Sequence, residues 1–343
     1  MPGFIIVLLI ALAATMNANA DSAFRQLQID RHSARPLNIV VWYPTRQSGK
    51  AEPIGDSDVF IGTNNLRNAL PAPGAHPLLI MSHGYGGSWR NLNWLAQQLA
   101  TQGYVVAAPD HPGTTTFDKA PASAAQLWER PRDLQRMLDR LVSAPESVGK
   151  IDRQRIAALG HSLGGWTVMQ LAGARFDSRR FLDDCRQHAE LSGCRIAQTL
   201  GIGGSSNGKL DENRRDPRIR AVISLDLGLA RGFTPYSLGQ VNIPVLIMSA
   251  GADSRELPAS LESGYLTRYI PPRWLRYVHV TGATHFSFMQ LCKPGATMLI
   301  EAEAPGESVV CRDGAFANRR DIHRVILTEI SIFLQRALKL PLD

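Results

Sequence analysis

Gly160-His161-Ser162-Leu163-Gly164 sets a serine hydroxyl between two glycines, with an apolar segment of strand length before it (Arg155–Leu159) and an apolar helical segment after it (Trp166–Ala172). A G-x-S-x-G sequence between a strand and a helix forms a nucleophile elbow. The turn is so sharp that the serine takes a strained backbone, and the glycines leave room for it. A serine hydroxyl is a weak nucleophile at neutral pH. It needs a general base, a carboxylate that orients the base, and amide donors for the developing oxyanion. The chemistry open to such a set is acyl transfer through a covalent serine ester.

At a nucleophile elbow the partners follow in the order Ser, then Asp or Glu, then His. Ile243–Ala250 reads as a strand, with Gly251-Ala252-Asp253 at its C-terminal end; Leu275–Val280 reads as another, followed by Thr281-Gly282-Ala283-Thr284-His285. His285 is therefore the expected base and Asp253 the expected acid. Asp226, at the end of the strand Arg220–Leu225, is the alternative acid. Asp253 is weighted ahead because the nearby glycine suits a strand-end turn. The other histidines fit the base role less well. His32 and His76 lie in N-terminal loops, His188 in a polar insertion, His279 inside a strand and His323 on a late helix. His161 adjoins the nucleophile and cannot fold back onto it. The strand Pro77–Ser82 runs directly into His83-Gly84-Tyr85-Gly86-Gly87, a glycine-rich loop suited to presenting amides. The Tyr85 and Leu163 N–H groups are the expected oxyanion donors, and His83, Gly84 and His161 are expected to face the substrate.

These residues need a frame that brings several loops to one sheet edge. Apolar strands recur at Leu37–Trp42, Tyr104–Ala108 and onward to Val280, alternating with helical stretches such as Asn93–Ala100. That alternation implies an α/β architecture, with a mostly parallel central sheet and helices on both faces. In open α/β sheets, ligand chemistry sits at the C-terminal strand edge. The last helix, Asp321 to Leu338, has apolar spacing at Ile322, Val325, Ile326, Ile330 and Leu334, which should pack on the sheet. A length of 343 residues accommodates one large domain, 21–343. After the nucleophile helix, an insertion from Ala174 to Pro217 with a Gly-Ile-Gly-Gly-Ser-Ser-Asn-Gly run reads as partly flexible surface, either a lid or an inert excursion.

His83-Gly-Tyr-Gly-Gly87, Gly160-His-Ser-Leu-Gly164, Gly251-Ala-Asp253 and His285 together resemble the α/β-hydrolase superfamily. Within it the chain is similar to bacterial proteins described as dienelactone hydrolases and akin to platelet-activating-factor acetylhydrolases. The likeness runs from about Leu37 to the end. It includes Asp110-His-Pro-Gly113, Arg130-Pro-Arg-Asp133 and Thr284–Cys292. Dienelactone hydrolases carry a cysteine nucleophile, whereas this chain carries serine, so that name is a poor guide to substrate. In the lipid acetylhydrolases the acid follows the earlier strand, the position of Asp226. The resemblance implies a serine hydrolase for carboxylic esters, of short-chain acyl or phospholipid acetyl type, with no metal and no organic cofactor. An amidase or peptidase on the same triad, or an inactive hydrolase-like binding protein, are the other readings.

Phe4–Ala14 is an apolar run too short for a comfortable membrane span, and Ala18-Asn19-Ala20 after it is a small-x-small cleavage signal. Residues 1–20 read as a signal peptide, although Met1-Pro-Gly lacks the usual basic residue. The expected location is periplasmic or secreted. Four cysteines fit export, and the local pairings Cys185–Cys194 and Cys292–Cys311 are favoured. A zinc site from Cys185, His188 and Cys194 matches no common ligand spacing. The net charge of +7 comes from dispersed arginines with no basic run. The expected partner is a small-molecule or lipid ester, with no nucleic acid and no stable membrane anchor. Oligomeric state is not legible.

Overall fold

The computed structural model describes residues 21–204, 207–252 and 254–340. The expected leader, 1–20, lies outside them. Ten strands form the sheet: β1 (Asp21–Ile29), β2 (Leu37–Thr45), β3 (Glu52–Ile54), β4 (Thr63–Arg67), β5 (Ala75–Ser82), β6 (Val105–Pro109), β7 (Lys150–His161), β8 (Ala221–Leu225), β9 (Val245–Ala250) and β10 (Leu275–Val280). Their order is β10-β9-β8-β7-β5-β6-β2-β1-β4-β3. The run from β6 through β10 is parallel throughout, while β2 pairs antiparallel with both β6 and β1. The sheet is thus mostly parallel, as the alternation of strands and helices implies. β1, β3 and β4 were not among the strands read from the sequence.

Helices of eight residues or more are α1 (Asn93–Thr101), α2 (Glu129–Ser143), α3 (Leu163–Leu171), α4 (Ser178–Cys185), α5 (Ala296–Glu303) and α6 (Arg319–Ala337). The period-2 geometry of the central strands sends alternate side chains to opposite faces, building two cores. Leu78 and Ile80 of β5 pack with Leu134, Met137 and Leu138 of α2 and Trp166 of α3. Leu79 and Met81 of the same strand pack with Leu95 and Leu99 of α1 and Ile326 and Ile330 of α6. Strands covered on both faces must be apolar at every position, and β6, β8 and β9 are buried along their whole length. On α6 the i, i+4 row Ile322, Ile326, Ile330 and Leu334 is buried, but Val325 is 48% exposed. Three residues from Ile322, it falls at the edge of the apolar stripe, so the expected packing of that one position is corrected.

The insertion after α3 carries more core than its polar composition implied. Phe176, Phe181, Leu200 and Ile202 are buried and belong to the same cluster as Trp166. Cys185 is joined to Cys194 and Cys292 to Cys311, the two local pairings, leaving no free cysteine. Among the described residues, no helix is long and apolar enough to cross a membrane.

Candidate active site

β7 ends at His161, and the chain turns at once into α3, with Ser162 at φ 57° and ψ −123°. A serine rarely takes that conformation, and it persists only where its surroundings hold it there. Here the Ser162 N–H donates to Leu225 O on β8 at 2.9 Å, and the Gly165 and Trp166 amides donate back to Ser162 O. The turn also brings backbone against backbone. A Cβ on Gly160 would overlap the Gly164 carbonyl, and one on Gly164 would overlap the Ser82 carbonyl.

His285 lies in the loop after β10. Its Nε2 is 3.0 Å from Ser162 Oγ and its Nδ1 is 2.7 Å from Asp226 Oδ2. The carboxylate at the ring is that of Asp226, the alternative acid. Asp226 directly follows β8. Its backbone N–H donates to Met248 O at 2.7 Å, and its Oδ1 accepts the Ala250 N–H at 2.8 Å. Its second oxygen is thus fixed toward the imidazole by the neighbouring strand β9. Asp253 itself lies outside the described residues.

Tyr85 and Leu163 line one cavity with Ser162 and His285, of about 470 Å³. Leu163 is the first residue of α3, and the amides of a first helical turn have no acceptor inside the helix. The Gly84–Tyr85 peptide has its carbonyl occupied by the His83 imidazole at 2.7 Å and the Gly87 N–H at 3.2 Å. In a trans peptide the N–H points the opposite way from the carbonyl. One cavity wall comes from the insertion (Ser192, Gly193, Ile196) and another from Gly306, Glu307 and Val309. A larger groove of about 860 Å³ passes Arg35, Glu129 and Arg136, but it lacks a nucleophile–base pair.

His83, Gly84 and His161, expected to face the substrate, are buried and are not among the residues that line this cavity. His83 is buried. Its Nε2 accepts the His111 N–H at 3.0 Å, so Nδ1 carries the proton toward Gly84 O. Burial, reinforced by Arg130, holds its pKa well below the ordinary histidine range. His161 is likewise kept neutral, chiefly by burial and then by His285. Its Nε2 donates to His285 O at 2.9 Å, and the two rings lie 4.6 Å apart. It braces the base. At Gly84 an added Cβ would come within 3.1 Å of Ser162 Cβ, so a side chain there would crowd the nucleophile.

Glu262 gave no signal in the sequence. It is buried, accepts the Ala230 N–H at 2.8 Å and faces Arg231 at 3.6 Å. It thereby secures the loop that leaves Asp226, where Leu229 takes a left-handed φ of 61°. Burial pushes its pKa up to about 7, against the opposing pull of Arg231.

A family model described as PET hydrolase-like matches residues 41–182. The ferulic acid esterase from Streptomyces cinnamoneus superposes with a TM-score of 0.65, covering 96% of this chain and 94% of its own at 22% identity. The chain has an α/β-hydrolase fold. Among curated relatives, the chain is 38% identical over 101 residues to cutinase est1 of Thermobifida alba, covering 29% of the chain and 31% of the relative. It is 30% identical over 218 residues to the bis(hydroxyethyl) terephthalate hydrolase of Streptomyces coelicolor, covering 62% of the chain and 52% of the relative. The chain thus spans about a third of the cutinases that it matches and about half of the terephthalate ester hydrolase.

Proposed function

We propose that this protein is an exported serine hydrolase that cleaves carboxylic esters. The hydrogen-bonded chain Ser162–His285–Asp226 is the observation that carries the proposal. Ser162 Oγ attacks the ester carbonyl while His285 Nε2 takes its proton. Asp226 holds the Nδ1–H tautomer and stabilises the imidazolium. The Tyr85 and Leu163 amides receive the oxyanion. His285 then protonates the departing alkoxide, and water activated by the same ring releases the acid and restores the serine. No cofactor enters this scheme.

The relatives named cutinase, terephthalate ester hydrolase and ferulic acid esterase support the ester reading. We assign acyl esters of modest size, including acetyl esters of lipids, to the 470 Å³ cavity. The Ser192–Ile196 stretch of the insertion serves as a wall of that cavity. Two disulfides support export, since such bonds persist in oxidising compartments. Mass spectrometry of protein recovered from the periplasm or medium should find a chain beginning near Asp21; a cytoplasmic chain retaining residues 1–20 refutes export.

Hydrolysis of p-nitrophenyl esters, acetyl through long-chain, tests the activity. Wild type should turn over the short members, and Ser162→Ala should lose at least about 10⁴-fold in kcat. A wild type inert on every ester, or a mutant equal to it, overturns the proposal.

A further inference from the structure

We infer that Arg130 is a positioning residue that suspends both oxyanion amides from one buried guanidinium, and so sets where Tyr85 N–H stands relative to Ser162. The inference rests on the ester-hydrolase reading of the site.

Arg130 lies in the first turn of α2 and is 1% exposed. Its fork reaches three separate parts of the molecule. Nη2 donates to the His83 carbonyl and to Ser82 Oγ at 3.2 Å, at the root of the loop carrying Tyr85. Nε donates to Thr167 Oγ1 on α3 at 3.1 Å, and Nη1 to Thr114 Oγ1 at 2.6 Å. The Thr167 hydroxyl donates in turn to the Leu163 carbonyl at 2.8 Å. One planar group therefore spans from the oxyanion loop to the residue that supplies the second amide. A lysine, with one nitrogen on a flexible stem, cannot reproduce that fork.

The surroundings fix the fork further. Asp133 accepts both Arg35 nitrogens, at 2.9 and 2.8 Å, and His111 Nδ1 at 3.0 Å. His111, kept neutral by burial, then accepts at Nε2 from Ser82 Oγ at 2.9 Å. Ser82 Oγ is left to accept from Arg130. This buried Asp133–His111–Ser82 row has the geometry of a catalytic chain, but its hydroxyl is capped by the guanidinium and lies away from the cavity. It orients, and does not attack. Among the described residues, no carboxylate forms a direct ion pair with Arg130. A buried cation without one is costly, and an apolar side chain would fill the same space at lower cost. What the guanidinium supplies, and an apolar residue could not, is a rigid link between loop and helix. The motifs Asp110-His-Pro-Gly113 and Arg130-Pro-Arg-Asp133 contribute to this one network.

The test compares wild type, Arg130→Lys and Thr167→Val by kinetics per titrated active site and by crystallography. Arg130→Lys should lower kcat by about 10²-fold with KM within about twofold, and weaken a trifluoromethyl ketone inhibitor by a similar factor. Thr167→Val, which cuts only the link to α3, should lose about tenfold in the same pattern. In the crystal, Tyr85 N should move by at least about 0.5 Å relative to Ser162 Oγ. If Arg130→Lys does not fold, Thr167→Val decides alone. A lower Tm with kcat, inhibitor affinity and Tyr85 position unchanged overturns the inference. A wild type inert on esters instead sinks the functional reading, and the Tyr85 displacement then decides the inference by itself.

Discussion

Two aspartates follow successive strands in this chain, Asp226 after β8 and Asp253 after β9. For Asp226, the donors around the carboxylate fix its direction. Asp226 spends one oxygen on the Ala250 amide and turns the other to His285 Nδ1. That arrangement depends on the register between β8 and β9, a long-range property invisible to local composition. Asp226→Asn should reduce kcat by about 10³- to 10⁴-fold, since the amide favours the wrong imidazole tautomer. Asp253→Asn should stay within a few-fold of wild type, as read from steady-state kinetics on p-nitrophenyl butyrate. The opposite ranking returns the acid to Asp253. The juxtaposition of Ser162 and His285 was legible, because motif and order point to both. The roles of His83 and His161 were not, because burial and ring contacts decide whether a histidine beside a motif faces substrate or braces its neighbour.

The elements were legible where period and punctuation agreed. β10 runs over Leu275–Val280 as its apolar pattern reads, while β7 begins at Lys150, five residues before the apolar segment that betrayed it. The added residues are held by pairing with the start of β5, where Ala75 faces Lys150 and His76 faces Ile151. β1 is rich in polar residues, and its partner β2 makes it a strand. The turn from β7 into α3 shows the strictest local requirement. Gly164→Ala drives a methyl into the Ser82 carbonyl and should destabilise the protein by more than about 2 kcal/mol. Gly208→Ala, where an added Cβ meets nothing within 4 Å, should change stability by less than about 1 kcal/mol. Urea unfolding of the two variants separates steric closeness at the elbow from a general intolerance of glycine replacement.

For the molecule as a whole, Glu262 links stability to pH. Its carboxyl ionises near 4.5 in the unfolded chain and at about 7 in the fold. Its contribution is fully present below 4.5 and is lost as pH rises through about 7. His323, lowered from 6.5 to about 4 chiefly by burial, acts oppositely and loses its contribution as pH falls from 6.5 through about 4. The difference between wild type and Glu262→Gln isolates the carboxyl. Relative to the variant, wild type should lose urea midpoint steadily between about pH 4.5 and pH 7. A constant difference across that range contradicts a buried, proton-holding Glu262. The cavity walls carry a consequence of another kind. Ser192 and Gly193 lie within the span closed by Cys185 and Cys194, with Ile196 two residues beyond it, and Gly306 to Val309 lie within the span closed by Cys292 and Cys311. Each span is stapled to itself, so the outline of the cleft can be exchanged as two cassettes while the machinery at the strand ends is inherited intact.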